Sequence, residues 1–266
     1  MKFQNFLTLS LEVRAQIGCV ADLWHRHLGD ALVGVYVHGS IALGRFVEGV
    51  SDLDMLIVVD RPIGREERLN IAADILAADE RPAPLELSAL WTEQLTPWRY
   101  PTLCQFHYSG AWTEHYRSLL DESITESFLV DTDFPDPDIA CHVRLTSQLG
   151  ICVYGRPVAE VFPEVPEDDF WQSISADVPE YDFHAYAPKY YASNILVLGR
   201  ILSYRVERRI LSKYDAGLWM LERIPEGWRY IVENALNVWY DGGVQLTYRP
   251  EDEDGLRRWL IDAIMK

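Results

Sequence analysis

Apolar residues recur at helical spacing from residue 11 to residue 29, through Val13, Ile17, Val20, Ala21 and Trp24, and this pattern predicts an amphipathic helix closed by Gly29 and Asp30. The spacing then changes. The runs ALVGVYVHG (31–39) and DMLIVVD (54–60) are short and rich in β-branched residues, and PLELSALW (84–91) alternates more weakly. Each is predicted to be a strand, with REERLNIAADILAAD (65–79) forming a helix before the third. Strand, strand, helix, strand makes a mixed sheet. DIACHVRLTSQLGICVYG (138–155) keeps helical periodicity to an end near Gly155. The acidic stretch that follows, RPVAEVFPEVPEDD, carries Pro157, Pro163 and Pro166 and marks a domain boundary. Past it the periodicity is almost wholly helical, in KYYASNILVLGRILSYRVERR (189–209), DAGLWMLERI (215–224) and WRYIVENALNVWYDG (228–242). The chain therefore reads as α+β: a mixed-sheet domain over residues 1–157, then a helical bundle over 158–266 with an aromatic core.

Composition fits two domains of ordinary size, since 266 residues at 48% hydrophobic content can bury two modest cores. Acidic residues outnumber basic ones by 41 to 24, a formal charge of −17. That charge opposes a polyanion and favours cationic small molecules, although acidity also serves solubility alone. Nucleic acid is accordingly not expected as a partner. Four cysteines without a CxxC pair read as buried free thiols in a reducing compartment. Glu12 and Arg14 interrupt what would be the apolar core of a signal peptide, and no apolar run approaches the length of a membrane span. These features predict a cytoplasmic protein without a membrane partner; we expect a monomer.

The candidate chemistry lies in VYVHGSIALGRFVEGVSDLDMLIVV (35–59). Carboxylates at i and i+2 of one strand share a face, so Asp52 and Asp54 repel each other unless a cation sits between them. Gly39-Ser40, at the end of the preceding strand, offers close backbone approach to a phosphate and a hydroxyl donor. Phosphate donors facing a dicarboxylate metal platform across a hairpin are what phosphoryl or nucleotidyl transfer with Mg²⁺ requires. Taken singly, a DxD is more often a solvated strand end; the neighbouring Gly-Ser changes that balance.

HGSIALGRFVEGVSDLDMLIVV resembles the signature of the polymerase-β-type nucleotidyltransferase superfamily. PLEL followed by LTPWRYP and CQFHYSGAW, and later CVYGRPVAEVFPEVPEDD and SKYDAGLWMLERIP, are similar to the aminoglycoside adenylyltransferases that modify streptomycin and spectinomycin. The likeness runs from roughly residue 30 to 235. It implies a nucleotidyltransferase domain followed by a helical domain that closes on nucleotide and substrate, an active site in the cleft between them, and Mg²⁺-dependent transfer of AMP from ATP to a hydroxyl of such a drug. It also implies roles position by position: Gly39, Ser40 and Ser51 as phosphate-binding residues, Asp52 and Asp54 as magnesium ligands, and Glu86 as general base on the drug hydroxyl. Glu86 stands between Leu85 and Leu87, which face the other way, so it can project beside the two aspartates and join them at the metal. Arg200 and Lys213 match basic residues directed at the triphosphate, and Trp112 and Asn194 match the drug side.

The chain departs from the family pattern at one point. Where streptomycin-modifying members carry an Asp three residues before the Asn, this sequence has Tyr190 or Tyr191, depending on the register. A guanidino sugar loses a counter-charge there, which counts against streptomycin and leaves spectinomycin or an unrelated hydroxylated substrate open. Glu180, Asp182 and the acidic run 164–169 are the candidates to replace that charge. Two other readings stay open: a nucleotidyltransferase of this fold with a different acceptor, and a nucleotide-binding pseudoenzyme. Asp52, Asp54 and Glu86 together argue against the second, because a binding protein has no use for a base.

Overall fold

Alternate residues of three adjacent strands point into one core, and that alternation fixes which residues are left to face the other way. In the computed structural model, which describes residues 2–79, 82–180, 188–240 and 248–266, the chain divides into two compact units, Phe3–Ser173 and one built on Ile174–Lys266. The first unit holds strands β1 (Leu32–Val37), β2 (Leu53–Val59), β3 (Leu85–Trp91), β4 (Thr102–Cys104), β5 (Phe106–Tyr108), β6 (Phe134–Asp136) and β7 (Ile151–Gly155). Five of them form a sheet in the order β5-β3-β2-β1-β7, with β2 and β3 parallel and the other pairs antiparallel. β4 and β6 pair separately.

The helices of this unit are α1 (Leu11–Leu28), α2 (Gly39–Ala42), α3 (Arg65–Ala78), α4 (Thr92–Leu95), α5 (Thr113–Leu120), α6 (Phe128–Asp131), α7 (Ile139–Leu149), α8 (Val158–Val161) and α9 (Glu167–Ser175), the last crossing the division. Ser10 caps α1, its Oγ accepting from the Val13 N–H at 3.3 Å. Val13, Ile17, Val20 and Trp24 of α1 join Ile71 and Ile75 of α3 and the sheet residues Val35, Val37, Met55, Ile57, Leu85 and Leu87 in one core. Each such side chain stabilises the fold by about 1.5–3 kcal/mol. A buried polar network ties α3 to the far side: Arg68 donates to the Ile63 carbonyl at 2.9 Å and the Thr132 carbonyl at 2.6 Å and pairs with Asp133.

The predicted order of strand, strand, helix, strand is present as β1, β2, α3, β3. Four features differ from the sequence reading. Residues 151–155 are not the end of a helix: α7 stops at Leu149, Gly150 breaks it, and the segment that carries β-branched Ile151 and Val153 pairs with β1 as an edge strand, with a register irregularity at Val153. Gly39-Ser40 does not close a plain hairpin; β1 ends at Val37 and Gly39 opens the single turn α2. Asp52 lies one residue before β2 rather than on it. Only Cys104 of the four free cysteines is buried, and Cys19 is exposed on α1. Pro157, where the composition shifts, is the N-cap of α8.

The second unit contains α10 (Pro188–Glu207), α11 (Lys213–Leu221), α12 (Arg229–Tyr240) and α13 (Pro250–Met265), with α10 packed on the other three. Tyr191, Tyr204, Trp219 and Tyr240 are buried within it, as an aromatic core requires. Among the described residues no helix is long and apolar enough to cross a membrane.

Candidate active site

Because Leu53, Met55, Leu85 and Leu87 are fully buried in the core, Asp54 and Glu86 emerge on the opposite face of the sheet. They are direct register partners on the parallel pair β2–β3. Adjacent strands lie about 4.8 Å apart, so the two carboxylates are neighbours. The strand on the other side contributes His38, whose backbone N–H donates to the Asp54 carbonyl at 3.0 Å. His38, Asp54 and Glu86 thus form one row across β1, β2 and β3. His38 is buried, its ring 4.9 Å from that of His142 at 54°, and burial followed by the His142 charge lowers its pKa well below the usual imidazole range. The buried His38 imidazole is therefore neutral, and the His38 backbone is bonded to that of Asp54.

Gly39 follows with φ +57°, and a Cβ built there would collide with the Asp54 carboxylate. The glycine serves two needs at once: left-handed backbone and room for Asp54. Ser40 Oγ is buried and has no hydrogen-bond partner among the described residues, a state that costs about 1–3 kcal/mol until a ligand oxygen relieves it. Ser51 is buried too, but its Oγ accepts from the Val47 N–H at 3.0 Å, which leaves its O–H to donate. Asp52, just ahead of β2, is exposed. Among the described residues no group of three His, Cys, Asp or Glu side chains is gathered at metal-binding spacing, so Asp52, Asp54 and Glu86 do not close into an all-protein cage.

The turn Gly110–Trp112 follows β5, whose Tyr108 is paired with Leu87, so Trp112 sits at the same end of the sheet as Glu86. Trp112 is half-buried against the core. In the second unit, Arg200 is half-buried on α10 and its Nε donates to the Leu211 carbonyl at 3.0 Å. No carboxylate pairs with it among the described residues. Leu211 lies two residues before Lys213, whose Nζ stands 4.0 Å from the centre of the Trp239 ring. The fold thus brings the two basic residues to one connection, between α10 and α11. Asn194, six residues earlier on α10, falls on a different face of the helix from Arg200. Tyr191, one turn before it, stacks on Tyr248 at 4.9 Å and 3°. Asp182 and the side chains of Glu180 and Tyr190 lie outside the described residues; the run 164–169 opens α9, where Asp169 accepts from the Trp98 indole N–H at 2.8 Å. His38 is absent from the sequence reading of the site; its place directly before Gly39-Ser40 is the available signal.

Residues 17–103 match the family model described as the nucleotidyltransferase domain, and residues 160–255 match that described as the C-terminal domain of aminoglycoside adenylyltransferase. The first match makes the sheet unit a nucleotidyltransferase domain. In the matched regions the chain is thus a nucleotidyltransferase domain followed by a region of the aminoglycoside adenylyltransferase C-terminal type. It is 24% identical over 265 residues to an aminoglycoside (3'') (9) adenylyltransferase of Shigella flexneri, covering 96% of each chain. It is 25% identical over 204 residues to a spectinomycin 9-adenylyltransferase of Staphylococcus aureus, covering 74% of each. Its fold is that of a spectinomycin adenyltransferase from Enterococcus faecalis solved with ATP and spectinomycin, at a TM-score of 0.81, 20% identity, and coverage of 95% of this chain and 99% of the other.

Proposed function

We propose that this protein transfers the adenylyl group of ATP to a hydroxyl of an aminoglycoside or aminocyclitol antibiotic of the spectinomycin or streptomycin type, releasing pyrophosphate and conferring resistance. The observation that carries the chemistry is the register pairing of Asp54 with Glu86 beside the cramped Gly39. The family supplies the acceptor class. Tyr190 or Tyr191 stands where streptomycin-modifying members have an Asp, and Tyr191 is turned into a stacked aromatic pair, so a guanidino sugar finds no carboxylate at either position, which favours spectinomycin.

The donor set fits Mg²⁺. It is a hard cation that takes one or two carboxylates and completes its shell with phosphate oxygens and water, so Asp52 and Asp54 suffice without a third protein ligand. When bound, it would neutralise charge on the phosphates. Gly39, Ser40 and Ser51 are assigned to the triphosphate, where the buried Ser40 hydroxyl gains its missing partner. Arg200 and Lys213 are assigned to the same phosphates. Glu86, as base, takes the proton of the drug hydroxyl; that oxygen bonds to the α-phosphorus as the bond to the β-phosphate oxygen breaks and the electron pair leaves with pyrophosphate. Glu86 borders the metal position as well. Trp112 and Asn194 contact the acceptor. Its cationic groups are matched by the charge of −17. We read the protein as a cytoplasmic monomer with no nucleic-acid or membrane partner.

The test is incubation with ATP and Mg²⁺ against a panel of aminoglycosides, aminocyclitols and lincosamides, read by mass spectrometry. The proposal expects spectinomycin, streptomycin or both to gain one adenylyl group. Modification of lincosamides alone would move the protein to another acceptor class.

A further inference from the structure

The Trp112 indole meets two other rings, and both trace back to one dipeptide. His115 meets it edge-on at 5.5 Å and 77°, and His115 Nε2 lies 2.7 Å from Ser127 Oγ. Phe128 meets it edge-on at 5.7 Å and 80°. The dipeptide is itself anchored. Ser127 Oγ accepts from the Leu129 N–H at 3.3 Å, the Ser127 N–H donates to Asp131 at 2.6 Å, and Phe128 abuts Phe134 at 5.1 Å and 89°. Phe128 nonetheless stays 48% exposed, so burial is not what its ring contributes. Its neighbours Leu129 and Val130 are buried and hold the segment to the core.

We propose that Ser127-Phe128 is a positioning element that fixes the plane of Trp112 for the acceptor. The inference rests on the reading of Trp112 as an acceptor-binding residue. A flat ring discriminates between sugars only when its orientation is set before they arrive, because an unpinned indole must be ordered by each ligand in turn. Two T-shaped ring contacts, with the core beneath, set it here while Trp112 stays only partly buried. Phe128 is not among the residues assigned to nucleotide or base, so its influence should fall on the acceptor.

The test is a double-mutant cycle in the full-length protein, with Phe128→Ala, Trp112→Ala, both together, and Phe128→Tyr, measuring kcat and the KM for ATP and for spectinomycin (streptomycin if spectinomycin is not turned over). Phe128→Ala should raise the acceptor KM about fivefold, the scale of one aromatic pair, leave the KM for ATP unchanged, and be rescued by Phe128→Tyr. In the Trp112→Ala background, Phe128→Ala should add nothing further. An equal effect of Phe128→Ala with and without Trp112, or an equal rise in both KM values, overturns the inference alone. An unchanged acceptor KM in Trp112→Ala, or turnover of neither drug, overturns the reading beneath it and the inference with it.

Discussion

Asp54 and Glu86 are register partners on parallel strands, two carboxylates side by side on a face that the rest of the sheet devotes to packing. Core residues fix this pairing from beneath: with Met55 and Leu87 locked inward, neither acid can turn away without moving its strand by one residue. Two like charges at that spacing are a liability unless something positive joins them.

Asp54→Asn removes half of that charge and Asp52→Asn removes the other carboxylate assigned to Mg²⁺; each should abolish transfer while preserving the fold. Thermal unfolding with and without Mg²⁺ and ATP reports it. A ligand at one hundred times its Kd stabilises by about 2.7 kcal/mol, so wild type should shift upward and both variants much less. Equal shifts in all three proteins remove the metal assignment.

Gly39→Ala places a methyl against the Asp54 carboxylate and forces alanine into left-handed backbone, which costs about 1–2 kcal/mol. Turnover should fall more than tenfold. Gly39→Asn tolerates the backbone but not the collision, so it should recover part of the stability and none of the activity. An alanine variant with wild-type turnover would show that Asp54 has other room.

Arg68→Met leaves Asp133 without its buried partner and strips the Ile63 and Thr132 carbonyls of their donors. The loss should be about 3 kcal/mol in urea unfolding, with the Mg²⁺-ATP shift retained. A variant within 0.5 kcal/mol of wild type, about the scatter of neutral surface changes, contradicts the structural role of this network.

His107 is held below the usual imidazole pKa, chiefly by burial, with Asp136 opposing and His142 adding to the shift. The folded protein therefore binds this proton less readily than the unfolded chain. Stability should be full above the ordinary imidazole pKa of about 6.5 and decline as pH falls below it. Unfolding temperatures between pH 7.5 and 5.5 should fall less steeply in His107→Gln than in wild type. Identical slopes would assign the acid sensitivity elsewhere.

Much of this was legible in the sequence, and the reasons differ by element. β1, β2, α3 and β3 announce themselves because their periodicity is local, and Glu86 is placed beside Asp54 by the family resemblance together with the inward alternation of Leu85 and Leu87. β7 was hidden by its continuity with α7, where one glycine separates two apolar periods. β4, β5 and β6 are three residues each, too short for any pattern. The hold of Ser127-Phe128 on Trp112 spans more than a dozen residues and exists only once β5 and α6 are packed. α2 went unread because a four-residue turn opening on glycine looks like the end of a strand.

The account stands most directly on Glu86. Transfer of label from α-labelled ATP to spectinomycin or streptomycin, run beside an ATP-binding titration for wild type and Glu86→Gln, separates the base from the nucleotide site. An amide keeps the shape of the carboxylate and cannot accept the proton. Wild type should label the drug, and Glu86→Gln should bind ATP with undiminished affinity while losing transfer by far more than tenfold, a barrier increase well above about 1.4 kcal/mol. A Glu86→Gln protein that labels the drug within tenfold of wild type would contradict the account at its centre.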